Sequence, residues 1–349
     1  NATPLAVVPG NLDDLLIIGK RKSTSPSVKM EDRLYVFDTT PTYSAHFAPS
    51  SNSSCWALPP SSNVRAMSID APVCRSDCKY SVVILKERPN DSMNRCAQLV
   101  KQGKADAMVL CGNTGCSVGA AQLHLRRIPG VKRAGILTPF PKPSGQTWVC
   151  DCGANSLGKP EHLVQFAEMT VAFLQVTQGK TTPGVGVLSI GEEDEKGNEL
   201  TLETLALLRK TNLRVLGNVE GHHIYRNADL DVVVCDGFTG NIVLKTSEGV
   251  AAGITHILKE EIARGVFRKI GAALMKPAFD GLRDRTHWSL VGGCILLGVD
   301  GVTIIGHGRS NGVAVYHALA HAAHCVSKSL IPTLREHFKM VSTTIVAAP

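Results

Sequence analysis

The chain has 349 residues, of which 44% are hydrophobic, 19% charged and 5% aromatic. That length suits one large domain or two ordinary ones, and the composition is that of a globular chain with a sizeable core, which excludes a mainly disordered protein. Lys and Arg number 37 against 30 Asp and Glu, a formal charge of +7. The excess suits an acidic partner such as phosphate, an acidic protein or anionic lipid, and is too small and scattered for direct nucleic-acid readout.

The predicted elements begin with two strand-like runs, Leu15–Ile18 and Leu34–Phe37, separated and succeeded by loop-forming Ser/Thr/Pro/Asn-rich stretches at Lys20–Lys29 and Thr39–Asn63. From Ala105 onward the rhythm is strand, glycine-bearing turn, helix. Strands are predicted at Ala107–Leu110, Thr147–Cys150, Val185–Ile190, Leu213–Leu216, Val232–Cys235 and Val302–Ile305. Helical patterns occupy Glu161–Gln175, Glu199–Lys210, Asn241–Ile262 and Gly312–Phe338. This alternation predicts an α/β fold of βαβ units, with a mostly parallel sheet and helices on both faces. No run approaches a membrane span: Leu290–Ile305 is broken by Asp300 and several glycines. Eleven cysteines in so long a chain read as small buried hydrophobes of a reducing compartment, cytoplasmic or an organellar matrix. The opening on Asn1 suggests residues upstream, such as a cleaved targeting segment.

In such a fold ligands gather at the C-terminal ends of the strands. Here the residues just after each predicted strand are polar and small. Cys111-Gly112-Asn113-Thr114-Gly115 opens a helix whose backbone N–H groups favour an anion. Asp151-Cys152-Gly153-Ala154-Asn155 leads to Lys159-Pro160-Glu161-His162, where Pro160 suits a first helical turn and sets Lys159 at the helix mouth. Lys196-Gly197-Asn198, Gly217-Asn218-Val219-Glu220, Asp236-Gly237-Phe238-Thr239-Gly240-Asn241 and Gly306-His307-Gly308 complete the set. Together these six turns suggest one polar cleft built from several loops.

The segments ADAMVLCGNTG, DCGANSLGKPEHLVQFAEM, VGVLSIGEEDEKGNELT, LGNVEGHHIY, DVVVCDGFTGNIVLKTSEG, VGGCILLGVDG and GHGRSNGVAV resemble, in order and spacing, the phosphate acyltransferase family PlsX, from about Asp70 to about Val326. The resemblance implies a three-layer α/β/α sandwich like that of isopropylmalate dehydrogenases, and a homodimer. It also implies transfer of a fatty acyl group from acyl carrier protein to inorganic phosphate, giving acyl phosphate for phospholipid synthesis, with no metal or organic cofactor required.

Phosphate attacking a thioester carbonyl needs a held dianion, a stabilised oxyanion and an accommodated thiolate. Lys159 is the first choice for holding phosphate. Asn113, Thr114, Gly115, Asn155, Asp236, Asn241 and Lys245 are the further candidates around it. His307, between glycines, suits donation to the oxyanion or to the leaving sulfur, and His162 is the alternative. Each has a plainer reading as well: Lys159 as a solvated helix-start residue, His307 as a hydrogen-bonded core histidine, Asn113 as a turn closer, Asp236 as a helix cap. His317, His321 and His324 share a helix face that reads as packing rather than metal ligation, and Cys74, Cys78, Cys150 and Cys152 form a zinc site only if the fold gathers them.

In Ile262–Leu282, Val266, Phe267, Ile270, Leu274 and Met275 recur at helical spacing among Arg264, Arg268, Lys269 and Lys276. A protruding hairpin of this kind, residues 262–284, suits an anionic membrane surface, and the resemblance makes it the membrane-contacting tip; the alternative is packing on a dimer partner or another subunit. The protein is thus expected to be peripheral to a membrane.

The sequence departs from the family at its start. The Asp-Ala-Met-Gly-Gly-Asp loop that succeeds the family's first strand and borders its active site has no counterpart, with Leu5–Asp13 the nearest segment. Asp14–Gly19 and Arg33–Thr40 fit the family's second and third strands, which puts the first upstream of Asn1 or removes it. The region before Asp91 is expanded by Cys74, Cys78 and the apolar run Val82–Leu85. The chain therefore divides into a divergent part, 1–68, and a PlsX-like core, 69–340. Two functions fit this pattern: an acyl-phosphate-forming enzyme, or a catalytically impaired descendant kept as a structural subunit of a larger, organellar assembly. A third is phosphotransacetylase-type activity on coenzyme A thioesters.

Overall fold

The computed structural model describes residues 15–17, 35–39, 67–69, 89–286, 292–307, 310 and 312–346, with side chains at 89–282, 292–307, 310 and 313–340. The Ser/Pro-rich loops, Leu5–Asp13, Cys74, Cys78 and Val82–Leu85 lie outside them. Among the described residues eleven strands form one sheet: β1 Leu15–Ile17, β2 Tyr35–Thr39, β3 Met67–Ile69, β4 Ala107–Cys111, β5 Gly135–Lys142, β6 Gly145–Cys150, β7 Gly184–Leu188, β8 Arg214–Val219, β9 Leu230–Val234, β10 Cys294–Leu297 and β11 Val302–Ile305. Their order is β3-β1-β2-β4-β11-β10-β5-β6-β9-β7-β8. The helices are α1 Ser92–Lys101, α2 Thr114–His124, α3 Pro160–Gln178, α4 Glu199–Leu208, α5 His223–Arg226, α6 Gly237–Ala263, α7 Val266–Leu274, α8 Lys276–Thr286, α9 Gly312–Ser327 and α10 Leu330–Val346. They cover both faces of the sheet, giving the expected α/β sandwich.

Strands β4, β7 and β9 are buried along their whole length, which is why they read as apolar runs without alternation. The core closes around Trp148, Phe166, Phe173, Phe338, Met93 and Met108. Two elements escape the sequence pattern. Strand β5 contains Pro139 and Pro141 yet pairs with β6 across the turn before Gly145, and β10 sits inside the run rejected as a membrane span. The single helix predicted over Gly312–Phe338 is two, broken where Ser329 takes φ 56°. No helix among the described residues is long and apolar enough to cross a membrane.

Direction within the sheet decides where the turns go. Strands β2, β4 and β11 run parallel to one another, as do β6, β9, β7 and β8. Between the two blocks stand three successive antiparallel pairings, β11–β10, β10–β5 and β5–β6. An odd number of reversals turns the second block against the first. The single cleft expected from six strand ends is therefore two clusters at opposite edges of the sheet, separated by a strand of four to six residues, about 13–20 Å.

Candidate functional site

At one edge, Gly306 donates its N–H to Leu110 O at 2.8 Å, which lays His307 beside the Gly112-Asn113 turn. Asn113 caps α2, its side chain accepting from Cys116 N–H at 3.1 Å, with exposed Thr114 and Gly115 as the first residues of the helix. His307 is exposed, and its carbonyl accepts from Ser310 N–H at 2.8 Å. Lys245, one turn beyond Asn241, pairs with Glu248 at 2.8 Å, and both charges act on the Cys294 thiol at the β10 start, next to the end of β11. Lys245 thus stands one helical turn from Asn241 and within electrostatic reach of the β10 start.

At the other edge, the ends of β6, β9, β7 and β8 deliver the first turns of α3, α6 and α4 side by side. The organising group is Asp151, fully buried. Its Oδ1 accepts from the N–H groups of Ile136, Gly153 and Ala154 at 2.9, 3.0 and 2.9 Å. Its Oδ2 accepts from Asn155 N–H and Asn155 Nδ2, both at 2.8 Å. Burial pushes the Asp151 carboxyl up and these donors oppose the shift. The N–H groups of this turn are therefore already taken up by an internal anion. Asn155 is spent within it, donating also to Ala134 O at 2.7 Å.

Helix α6 is seated on the same group. A Cβ on Gly240 would lie 1.9 Å from Asp151 O, and one on Gly237 2.5 Å from Asn155 O, so both positions require glycine. Asp236 caps the helix, its Oδ1 accepting from Phe238 and Thr239 N–H at 3.0 Å and its Oδ2 from Thr239 Oγ1 at 2.7 Å. Asn241 faces the loop at Gly153, is exposed, and makes no side-chain hydrogen bond among the described residues.

Lys159 is the N-cap residue of α3 and exposed. Its N–H donates to His162 Nδ1 at 3.2 Å. His162 is buried, and burial, then the cations Arg133, Lys132 and Lys159 against the opposing Glu161, hold its ring below the ordinary histidine range. A neutral ring with Nδ1 occupied braces the turn that carries Lys159 and is a poor proton donor to a leaving group. Lys196, named from the sequence as part of its turn but not as a site residue, stands at this edge too. Its loop is pinned by Asn218 Nδ2, donating to Glu193 O at 2.8 Å and Lys196 O at 3.0 Å, and turns at Gly197 with φ 124°. Neither Lys159 nor Lys196 has a carboxylate within ion-pair distance among the described residues. The signal that marked Lys196 was a cation before a glycine and the Asn198 cap of α4.

Glu220, His222 and His223 are close enough to share a cation. Glu220 N–H, however, donates to His223 Nδ1 at 3.1 Å, which puts the ring proton on Nε2, aimed at Glu192 Oε1 at 3.0 Å. Both nitrogens are spent, and the cluster reads as a brace between the β7 and β8 loops. Cys150 and Cys152 are buried with their thiols pushed well up by desolvation. His317 and His321 are buried, and His324 Nε2 lies 2.9 Å from Thr177 O, as expected of a packing face.

Val266, Phe267, Ile270, Leu274 and Met275 are 53–90% exposed on and just beyond α7, which continues from the far end of α6.

A family profile described as "Fatty acid synthesis protein" matches residues 61–332. Proteins named phosphate acyltransferase include that of Pelotomaculum thermopropionicum, 39% identical over 78% of this chain and 80% of its own, and that of Fusobacterium nucleatum, 44% identical over 73% and 77%. A solved phosphotransacetylase from Streptococcus pyogenes aligns over 68% of each chain with 16% identity and a TM-score of 0.47.

Proposed function

We propose, from the premise that the chain belongs to the phosphate acyltransferase family, that it transfers a fatty acyl group to inorganic phosphate, giving acyl phosphate for phospholipid synthesis. The observation that supports it is the edge where β6, β7 and β9 end. There Lys159, Lys196 and Asn241, side chains with no hydrogen-bond or ion-pair partner through their polar ends among the described residues, stand around the adjacent N-termini of α3, α4 and α6. Two ammonium groups, an amide and helix dipoles of one sign suit a phosphate dianion.

In this reading the bound phosphate oxygen attacks the thioester carbonyl, a C–O bond forms, the C–S bond breaks, and the thiolate leaves to take a proton from solvent. The protein's contribution is to hold the dianion without its water and to stabilise the extra negative charge of the tetrahedral intermediate. His307 and the Asn113 turn stand a strand's length away, so within one protomer they take no part in gripping that phosphate. Acyl carrier protein is the donor in this reading, and the active form is a homodimer. The amphipathic face of α7 docks on anionic membrane, since Phe267 and Leu274, 90% and 78% exposed, are framed by Arg264, Arg268 and Lys269. The reading as a structural subunit of a larger assembly gains no observation of its own.

The test is direct. Full-length protein receives acyl carrier protein thioester and phosphate, and acyl phosphate and free thiol are measured. Turnover that Lys159→Ala lowers about 100-fold or more supports the reading; no turnover from folded wild type overturns it.

A further inference from the structure

The edge carrying the candidate site is charged asymmetrically. At this edge β10 ends and β5 begins, so its loops succeed one another across the sheet in the order 126–134, 151–159, 235–241, 189–198 and 220–223. The first carries Arg126, Arg127, Lys132 and Arg133, all exposed. Among the described residues only Lys132 of these four meets a carboxylate, Glu161 at 3.6 Å. The fourth carries the exposed run Glu192, Glu193, Asp194 and Glu195, of which Asp194 pairs with Arg209 at 2.6 Å and Glu192 with His223 at 3.0 Å. Strand spacing puts the two loops about 15 Å apart, with Lys159 and Asn241 between them. The cations of the first loop reach the site itself, since Arg133 and Lys132 act on the same His162 ring that Lys159 does.

The cationic loop is built rather than floppy. Ile128 N–H donates to Gly298 O at 3.0 Å and Asp300 N–H to Arg126 O at 3.0 Å, which ties it to the β10 turn. Lys132 N–H donates to Gln165 Oε1 at 2.7 Å and Gln165 Nε2 to Gly130 O at 2.9 Å, which ties it to α3. Arg127 Nη1 also donates to Lys132 O. Arg126 holds φ 65°, a left-handed conformation that costs a non-glycine residue and persists because these bonds enforce it. Ile128 and Val131 turn inward and are buried, leaving the loop's outer face to its charges.

We propose that the 126–133 loop is the docking surface for the acidic carrier protein that delivers the acyl thioester, and that the Glu192–Glu195 run opposite fixes its orientation by repulsion. This rests on the acyl-transfer reading above and names which surface admits the donor. An acidic protein settling on the cations lies against the α3 side of the site, with its thioester arm free to enter between Lys159 and Asn241. A membrane surface fits this loop less well, because its large apolar side chains point inward and the exposed apolar face belongs to α7, beyond the far end of α6.

The experiment uses full-length Arg127→Glu plus Arg133→Glu, with the neutral pair Arg127→Gln plus Arg133→Gln as the check on folding. At low ionic strength the charge-reversed protein should show KM for the acyl carrier protein thioester raised about tenfold, and the neutral pair an intermediate rise; both differences should shrink as salt is added. The rise in KM for the thioester should exceed any change in kcat or in KM for phosphate. Unchanged KM for the thioester at low salt overturns the proposal. So does loss of sedimentation with anionic phosphatidylglycerol vesicles alongside unchanged KM, which would assign the loop to lipid. If wild type makes no acyl phosphate, the acyl-transfer reading fails on its own, and calorimetric titration with acyl carrier protein still decides the surface: about tenfold weaker binding by the charge-reversed pair supports it, and equal affinity or no binding by wild type rejects it.

Discussion

Replacing Asp151 by Asn changes almost no volume and isolates the chemistry of the buried carboxylate. The amide oxygen can stay with the three N–H donors of Ile136, Gly153 and Ala154, but the amide nitrogen must then face Asn155 N–H and Asn155 Nδ2, now 2.8 Å from another donor. Two hydrogen bonds to a charged acceptor are lost, at about 1.5 kcal/mol each, so the loss is about 3 kcal/mol before the relief of removing a buried charge. Unfolding entropy of about 2.1 cal/mol/K per residue over 349 residues gives about 0.7 kcal/mol/K, so Tm should fall by about 4 °C. Because Gly237 N–H donates to Asn155 O at 2.9 Å, the displaced turn carries the first turn of α6 and Asn241 with it. KM for phosphate should therefore rise more than kcat falls. Calorimetry and steady-state kinetics on the same preparation read both effects. A variant with wild-type Tm and wild-type KM for phosphate would refute the view that this carboxylate shapes the site.

Other parts of the molecule carry three further expected outcomes. Gly240→Ala should destabilise by about 2–4 kcal/mol in urea melts, because its Cβ would meet Asp151 O at 1.9 Å and the neighbour is backbone. Lys142→Met should cost about 3 kcal/mol: this buried ammonium donates to Asn227, Ala228 and Leu230 carbonyls at 3.1, 3.2 and 2.5 Å, and an unchanged midpoint would show those carbonyls to be satisfied otherwise. His321 is buried and burial pushes its pKa down to about 3, so the unfolded chain takes up a proton that the folded chain refuses. That contribution is complete above pH 6.5 and is lost as pH falls below it, about 2 kcal/mol between about pH 6.5 and about pH 5. Urea melts of wild type and His321→Phe at the two pH values should differ by that amount, and parallel behaviour would reject it.

Much of this protein was legible in its sequence. Apolar runs such as Val232–Cys235, buried on both faces, and caps such as Asp236 and Asn198 are local features whose physics acts within a few residues, so strands, helices and turns could be placed without tertiary information. Family membership was legible for the same reason, being carried by short motifs in fixed order. Strand direction was not. A proline-bearing strand, Gly135–Lys142, and a short one hidden in a glycine-rich run, Cys294–Leu297, insert three reversals into the sheet, and their mutual pairing joins residues more than a hundred positions apart. Those reversals send His307 and Asn113 to one edge and Lys159 to the other, and set a cationic loop and an acidic loop on either side of the site. Which side chains exist, and in what local geometry, was written in the chain; which of them face the same volume of solvent was decided only when long-range hydrogen bonding fixed the sense of each strand.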